Sequence, residues 1–178
     1  MAGCRLGLRE PDDLKCSLEV LMRLEYFQLI DRIVSLSVAD RTIEVEAVVP
    51  DESTIFEGHF PGYPLMPGVL LIESMAQTSG WLVIALTRFE RMPFLAQVKD
   101  AKLRKFVHPG ARLSITASLV HEGSGFAVTR AEVAHEGKPM CNAELRFGVT
   151  GFPTDDFRDV MRSWAERIEF PMDARVDA

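Results

Sequence analysis

Two residues in one short stretch have the types and spacing of an acid–base couple. His59 opens the run Phe60-Pro61-Gly62-Tyr63-Pro64-Leu65-Met66-Pro67-Gly68, and Glu73 follows His59 by fourteen residues. An imidazole titrates near neutrality, and a carboxyl group in an apolar setting favours its neutral form. One can take a proton while the other gives one. Gly68 and Val69 stand where the chain enters a helix. Backbone N–H groups there lack intrahelical acceptors, so with the helix dipole they can polarise a carbonyl oxygen. Gly68 also has no side chain to obstruct a thioester. The combination suits removal of a proton next to a carbonyl, with loss of a β-hydroxyl as water. Gln77 lies one helical turn after Glu73, within hydrogen-bonding reach by spacing; interface packing is an equal reading. Tyr63 and Met66 could border an acyl site or simply pack the loop.

The elements that must hold these groups follow from the pattern. Three prolines stiffen residues 61–67, because proline neither donates to a ladder nor sits inside a helix. Pro67 is placed to open the next helix, where its missing N–H has no partner anyway. From Val69 to about Leu86 the chain is apolar nearly all round, which predicts a helix of about 27 Å buried on every side. Before the loop, Phe27 to Val38 reads as a strand. Residues 41–49 alternate Ile43, Val45, Ala47 and Val49 with mostly polar neighbours, which is the period of a second. After the helix, Pro93 to Val107, Arg112 to Glu122, Gly125 to Glu136 and Lys138 to Val149 read as four more strands. Tight turn signals separate them, so neighbours are antiparallel. The expected class is α+β: a curved antiparallel sheet of about six strands wrapped around one long buried helix. Ser17 to Tyr26 has weak helical spacing. Asp155 to Ile168 is a candidate terminal helix with Thr154 as N-cap and Phe157, Val160, Met161, Trp164 and Ile168 on one stripe, expected to pack on the same or a neighbouring subunit near the sheet.

The stretch from His59 to Gln77 resembles the signature of the 3-hydroxyacyl-[acyl-carrier-protein] dehydratases, His-Phe-Pro-x-x-Pro-x-Met-Pro-Gly-Val-Leu-x-x-Glu-x-x-Ala-Gln. The wider likeness runs from about Tyr26 to Phe152. The resemblance implies the hot-dog fold, a homodimer as active unit, and often a trimer of dimers. It implies that His59 of one subunit faces Glu73 of the other. His59 would then remove the C2 proton, Glu73 would orient or protonate the leaving hydroxyl, and the Gly68 amide would hold the thioester carbonyl. Related dehydratase/isomerases carry Asp where Glu73 stands, which favours dehydration without isomerisation. Two segments depart from the family pattern: Met22-Arg23-Leu24-Glu25-Tyr26-Phe27 before Asp31-Arg32, and Phe94-Leu95-Ala96-Gln97-Val98-Lys99-Asp100-Ala101-Lys102-Leu103. Such edges line the acyl tunnel in that family, so an altered acyl group with the same chemistry is expected. Phe60 and Phe94 join the expected acyl-binding surface. Lys99, Lys102, Arg104 and Lys105 form a basic cluster. It reads either as a solvated edge that resists aggregation or as a landing patch for an acidic acyl carrier protein.

The chain has 178 residues, enough for one domain, and a formal net charge of −6. That charge argues against non-specific nucleic-acid binding. Expected boundaries are an N-terminal extension over 1–25, the dehydratase domain over 26–152 and a C-terminal extension over 153–178. Cys4, Cys16 and Cys141 form no paired motif, which suits a reducing compartment, and Cys141 reads as packing. His108, His121 and His135 have no second ligand at metal-like spacing, so neither metal nor cofactor is expected. No leader or membrane span is recognised, and the expected location is cytoplasmic. Two other classes compete: an acyl thioesterase that directs water at the carbonyl, and a non-catalytic binding module. A dehydratase of a specialised pathway is the nearer alternative.

Overall fold

The computed structural model describes Leu24 and residues 26–171. Cys4, Cys16 and most of the weak helical spacing over 17–26 lie outside the described residues. Six strands form one antiparallel sheet: β1 (Arg32–Ser37), β2 (Thr42–Val48), β3 (Arg91–Leu103), β4 (Arg112–Gly123), β5 (Phe126–His135) and β6 (Lys138–Gly151). Their order across the sheet is β1-β2-β4-β5-β6-β3. Among the described residues three helices accompany them: α1 (Thr54–Gly58), α2 (Gly68–Leu86) and α3 (Asp155–Arg167).

The tight turns are where the sequence placed them. Glu136 and Gly137 both have positive φ (50° and 70°), the backbone a two-residue hairpin needs between β5 and β6. Register shifts interrupt every ladder except β2–β4, and such bulges add bend and twist to the sheet. The sheet curves over α2. Leu71, Met75 and Leu82 on the helix meet Ile43, Val45, Ile115, Val133 and Leu145 from the strands, all at 2% exposure or less. Each such side chain contributes about 1.5–3 kcal/mol on leaving water. The helix hydroxyls inside this core are satisfied: Ser74 donates to the Leu71 carbonyl, Thr78 to that of Ser74, and Thr129 of β5 to Ser79. α2 is long and apolar enough to cross a membrane, but most of it is buried against the sheet.

Several boundaries differ from the sequence reading. The first strand starts at Arg32 rather than Phe27. Phe27 has φ 55°, which breaks extended backbone, and pairing with β2 begins only where the Asp31 amide reaches the Glu46 carbonyl. Residues 54–58 form the short helix α1, capped by Ser53 through the Ile55 amide. Its single turn was too short to show a period. The strand after α2 runs from Arg91 and ends at Leu103, not Val107.

Within one chain α2 is not buried on every side. Val69 is 69% exposed, and Leu70, Ile72, Glu73 and Gln77 are only half-buried. One six-stranded sheet is too narrow to enclose a 19-residue helix, so a stripe on its N-terminal half stays open. The terminal helix forms as expected, with Thr154 Oγ accepting from the Phe157 amide. Its buried face is Met161, Ala165 and Ile168, while Phe157, Val160 and Trp164 remain 37–46% exposed.

Candidate active site

His59 ends α1, with its amide donating to the Ile55 carbonyl. Its ring is held from two sides: Nδ1 lies 3.0 Å from the Leu65 carbonyl oxygen, and the Phe60 ring packs edge-on at 4.5 Å. A carbonyl can only accept, so Nδ1 carries the proton in this contact and Nε2 is left with its lone pair. The intervening Phe60 has φ 64°, a left-handed conformation that a bulky residue adopts at a cost. The Pro-rich loop is thus bent to present His59.

The start of α2 supplies the second component. Pro67 is its N-cap and gives no side-chain hydrogen bond. The first amides to bond back are those of Leu70 and Leu71, both to the Pro67 carbonyl. Those of Gly68 and Val69 have no acceptor among the described residues. They are donors at the positive end of a helix, with an exposed approach over Val69. A side chain on Gly68 would push against the δ-methyls of Leu103, so glycine lets that side chain pack against the start of the helix.

Glu73 lies five residues further on, about 7.5 Å along the axis. Gln77 Nε2 donates to Glu73 Oε1 at 3.1 Å and to the Phe27 carbonyl at 2.8 Å. One amide group therefore fixes the carboxyl and ties the segment before β1 to the helix. Glu73 faces a cavity of about 700 Å³, within the usual range for small-molecule sites. Its helical wall is Glu73, Ala76, Gln77, Gly80, Trp81 and Ile84. That is one face at i, i+3, i+4, i+7, i+8 and i+11.

The sequence-derived candidates separate into groups. Glu73 and Gln77 share the cavity, but His59, Phe60, Tyr63, Met66, Gly68, Val69 and Phe94 do not line it. Tyr63 is exposed with its ring edge-on to His108 at 5.5 Å. Met66 is buried, its amide bonded to Val107. Phe94 projects half-exposed from β3. Lys99, Lys102, Arg104 and Lys105 are all exposed along the end of β3, with Arg104 donating to Asn142. Cys141 is fully buried, and burial pushes its thiol up to about 11, which leaves no thiolate for nucleophilic chemistry at neutral pH. Among the described residues no three His, Cys, Asp or Glu side chains gather as metal ligands. Sequence reasoning missed Trp81 as a cavity wall, although its helical spacing from Glu73 was a signal. The apolar stripe of α3 pointed to packing near the sheet, and Phe157, Met161 and Trp164 line the cavity there.

A curved antiparallel sheet around a central helix defines the hot-dog class of fold. Solved structures agree on the fold. A hypothetical thioesterase with coenzyme A from Streptococcus pneumoniae TIGR4 aligns with TM-score 0.55 at 22% identity, covering 69% of this chain and 90% of that one. A conserved protein of Pseudomonas aeruginosa aligns with TM-score 0.57 at 23% identity, covering 70% and 93%. The family model of the FabA-like domain matches residues 22–144. A protein of Listeria welshimeri named 3-hydroxyacyl-[acyl-carrier-protein] dehydratase FabZ is 32% identical over 145 residues, covering 79% of this chain and 98% of that protein. Its namesake from Latilactobacillus sakei is 38% identical over 120 residues, covering 67% and 85%. The chain belongs to the FabA-like family.

Proposed function

We propose that this protein is a 3-hydroxyacyl-acyl-carrier-protein dehydratase acting in acyl-chain synthesis. The observation that carries the reading is Glu73, fixed by Gln77 at the edge of a 700 Å³ cavity beside a helix N-terminus with two free amides. The named relatives act on hydroxyacyl groups held by a carrier protein, and that substrate suits this arrangement.

In the proposed reaction the thioester carbonyl accepts from the Gly68 amide, which draws electron density from C2. His59 Nε2 takes the C2 proton. The C3–O bond breaks with its electron pair passing to oxygen, which takes the Glu73 proton and leaves as water. The C2–H electron pair becomes the C2=C3 double bond. The imidazolium proton then returns to the Glu73 carboxylate, which restores both groups.

Within one chain, His59 does not line the cavity that Glu73 faces. This supports a homodimer as the active unit, with His59 of each copy meeting Glu73 of the other. β3 supports this reading. It is a 13-residue edge strand that exposes Phe94, Leu95, Val98 and Leu103, with Phe106 just beyond. A long apolar edge invites pairing with another chain. Two such strands about a two-fold axis would continue the sheet and cover the open stripe of α2. The basic residues at the end of β3 would meet an acidic carrier beside the site.

The test is product analysis with 3-hydroxyacyl carrier substrates. Enoyl product from the wild type, with His59→Ala and Glu73→Gln each slowed by about 10²–10⁴-fold, is the expected result. Free thiol release in place of enoyl product would make the protein a thioesterase. Near wild-type turnover by either variant would remove that residue from the mechanism.

A further inference from the structure

α3 lies outside the residues matched by the family, 22–144, yet it walls the cavity that Glu73 faces. Phe157, Met161 and Trp164 all face that cavity. The helix is held in place from several sides. Thr154 caps its first turn, and the Ile33 amide of β1 donates to the Ile168 carbonyl at 2.8 Å. Just past its last turn, Phe170 packs on Trp81 and Phe89, with ring centroids 5.7 and 5.1 Å apart. Trp81 stands eight residues, or about 12 Å, along α2 from Glu73. The tail is thus anchored at the end of the cavity away from the carboxyl.

We propose that α3 is the closing wall of the acyl site and sets the length of the chain it accepts. The inference rests on the reading of Glu73 as the residue beside C3 of the acyl group. The cavity face of α2 from Glu73 to Ile84 is eleven residues, about 16 Å. An extended alkyl chain advances about 1.25 Å per carbon, from a 1.52 Å bond and an angle near 111°. Between Trp81 and Ile84, roughly ten to thirteen carbons beyond C3 fill the site. The substrate class is therefore acyl groups of about thirteen to sixteen carbons. Trp164 and Phe157 line the cavity yet stay 46% and 37% exposed, so they belong to its wall and not to the packed core.

The experiment measures the Kd of S-alkyl pantetheine thioethers of four to eighteen carbons for the full chain and for Trp164→Ala and Phe157→Ala. In the wild type, affinity rises about three- to fourfold per added methylene and stops rising near the length given above. Each variant moves that break at least two carbons longer. Met161, Ala165 and Ile168 still hold the helix in both variants, and thermal melting verifies it. Should both variants melt like the wild type and keep the same break, α3 does not set the length. A uniform loss of affinity at every length would equally overturn the proposal, because it would make α3 a general support. Dehydration of 3-hydroxyacyl carrier substrates is assayed separately. A shifted break without dehydration would sink the functional reading and leave the wall standing; dehydration with an unmoved break would do the reverse.

Discussion

His59 and Cys141 show how different surroundings leave one side chain available for proton transfer and silence another. The Leu65 carbonyl fixes the His59 tautomer and leaves Nε2 outward, whereas Cys141 sits at zero exposure between β5 and β3. Desolvation raises that thiol to about 11, only partly opposed by the nearby Arg104 charge. Iodoacetamide at pH 8 should therefore leave Cys141 unmodified in the folded protein and label it after denaturation, as read by peptide mass spectrometry. Rapid native labelling would show that the strand pairing around it opens readily. The same shift has a sign for stability. The unfolded thiol ionises near 9.0 and the folded one near 11, so the unfolded state loses its proton first. The contribution of the neutral buried thiol is complete below pH 9 and is lost as pH rises to about 11. Cys141→Ala should accordingly show a shallower fall in denaturation midpoint over that window than the wild type.

β3 carries two roles along one strand. Its first half turns Met92, Pro93 and Leu95 to the cavity, while Phe94, Val98 and Leu103 are presented outward at the sheet edge. Replacing Phe94 and Val98 together by Glu would put like charges opposite each other across a two-fold strand pair. The expected outcome is a folded monomer by light scattering and circular dichroism, with dehydration lost because each site needs both chains. A dimer of unchanged strength would place the interface elsewhere. At the end of the strand, charge reversal at Lys102 and Lys105 should raise KM for the carrier-bound substrate with little change in kcat. That effect should fade as salt rises, since steering between exposed charges is screened over about 8 Å at physiological ionic strength. Equal KM in low salt would move the carrier's landing surface off β3.

The assembled molecule is predicted to be the catalytic unit, and complementation tests this directly. His59→Ala and Glu73→Gln homodimers should both be inactive. Co-expressed, random pairing makes about half the dimers mixed, by the symmetry of an isologous interface. One site of a mixed dimer then carries both lesions and the other carries neither, so activity returns. If His59 and Glu73 acted within one chain, every site would stay broken. Mixed dimers that form without recovered activity would refute the shared site while leaving both catalytic roles intact. The length-setting α3 belongs to this same level, because it closes a cavity whose other walls come from α2, β3 and the segment before β1.

Much of this was legible in the residues. Alternation gave the strand over 41–49, runs bounded by Gly-containing turns gave the four strands after the helix and their antiparallel pairing, and the apolar run 69–86 gave the central helix, because those patterns are local properties of the chain. The spacing of Glu73 and Gln77 foretold their hydrogen bond, since a helix brings i and i+4 together whatever surrounds it. The length of the first strand was not legible: Phe27 looks like a strand residue, and its positive φ arises where a distant Gln77 holds its carbonyl. Nor was the open stripe on α2, because apolar composition says that a face will be covered and not by which chain. The α3 stripe was legible as an apolar face that packs near the sheet; which of its side chains wall the cavity depended on β6 ending beside the start of β3, where Gly151 pairs with Arg91. Local pattern determined the elements and the pairing of Glu73 with Gln77. Tertiary structure alone decided what stands across the cavity from Glu73, because that juxtaposition is made by contacts between residues more than eighty positions apart.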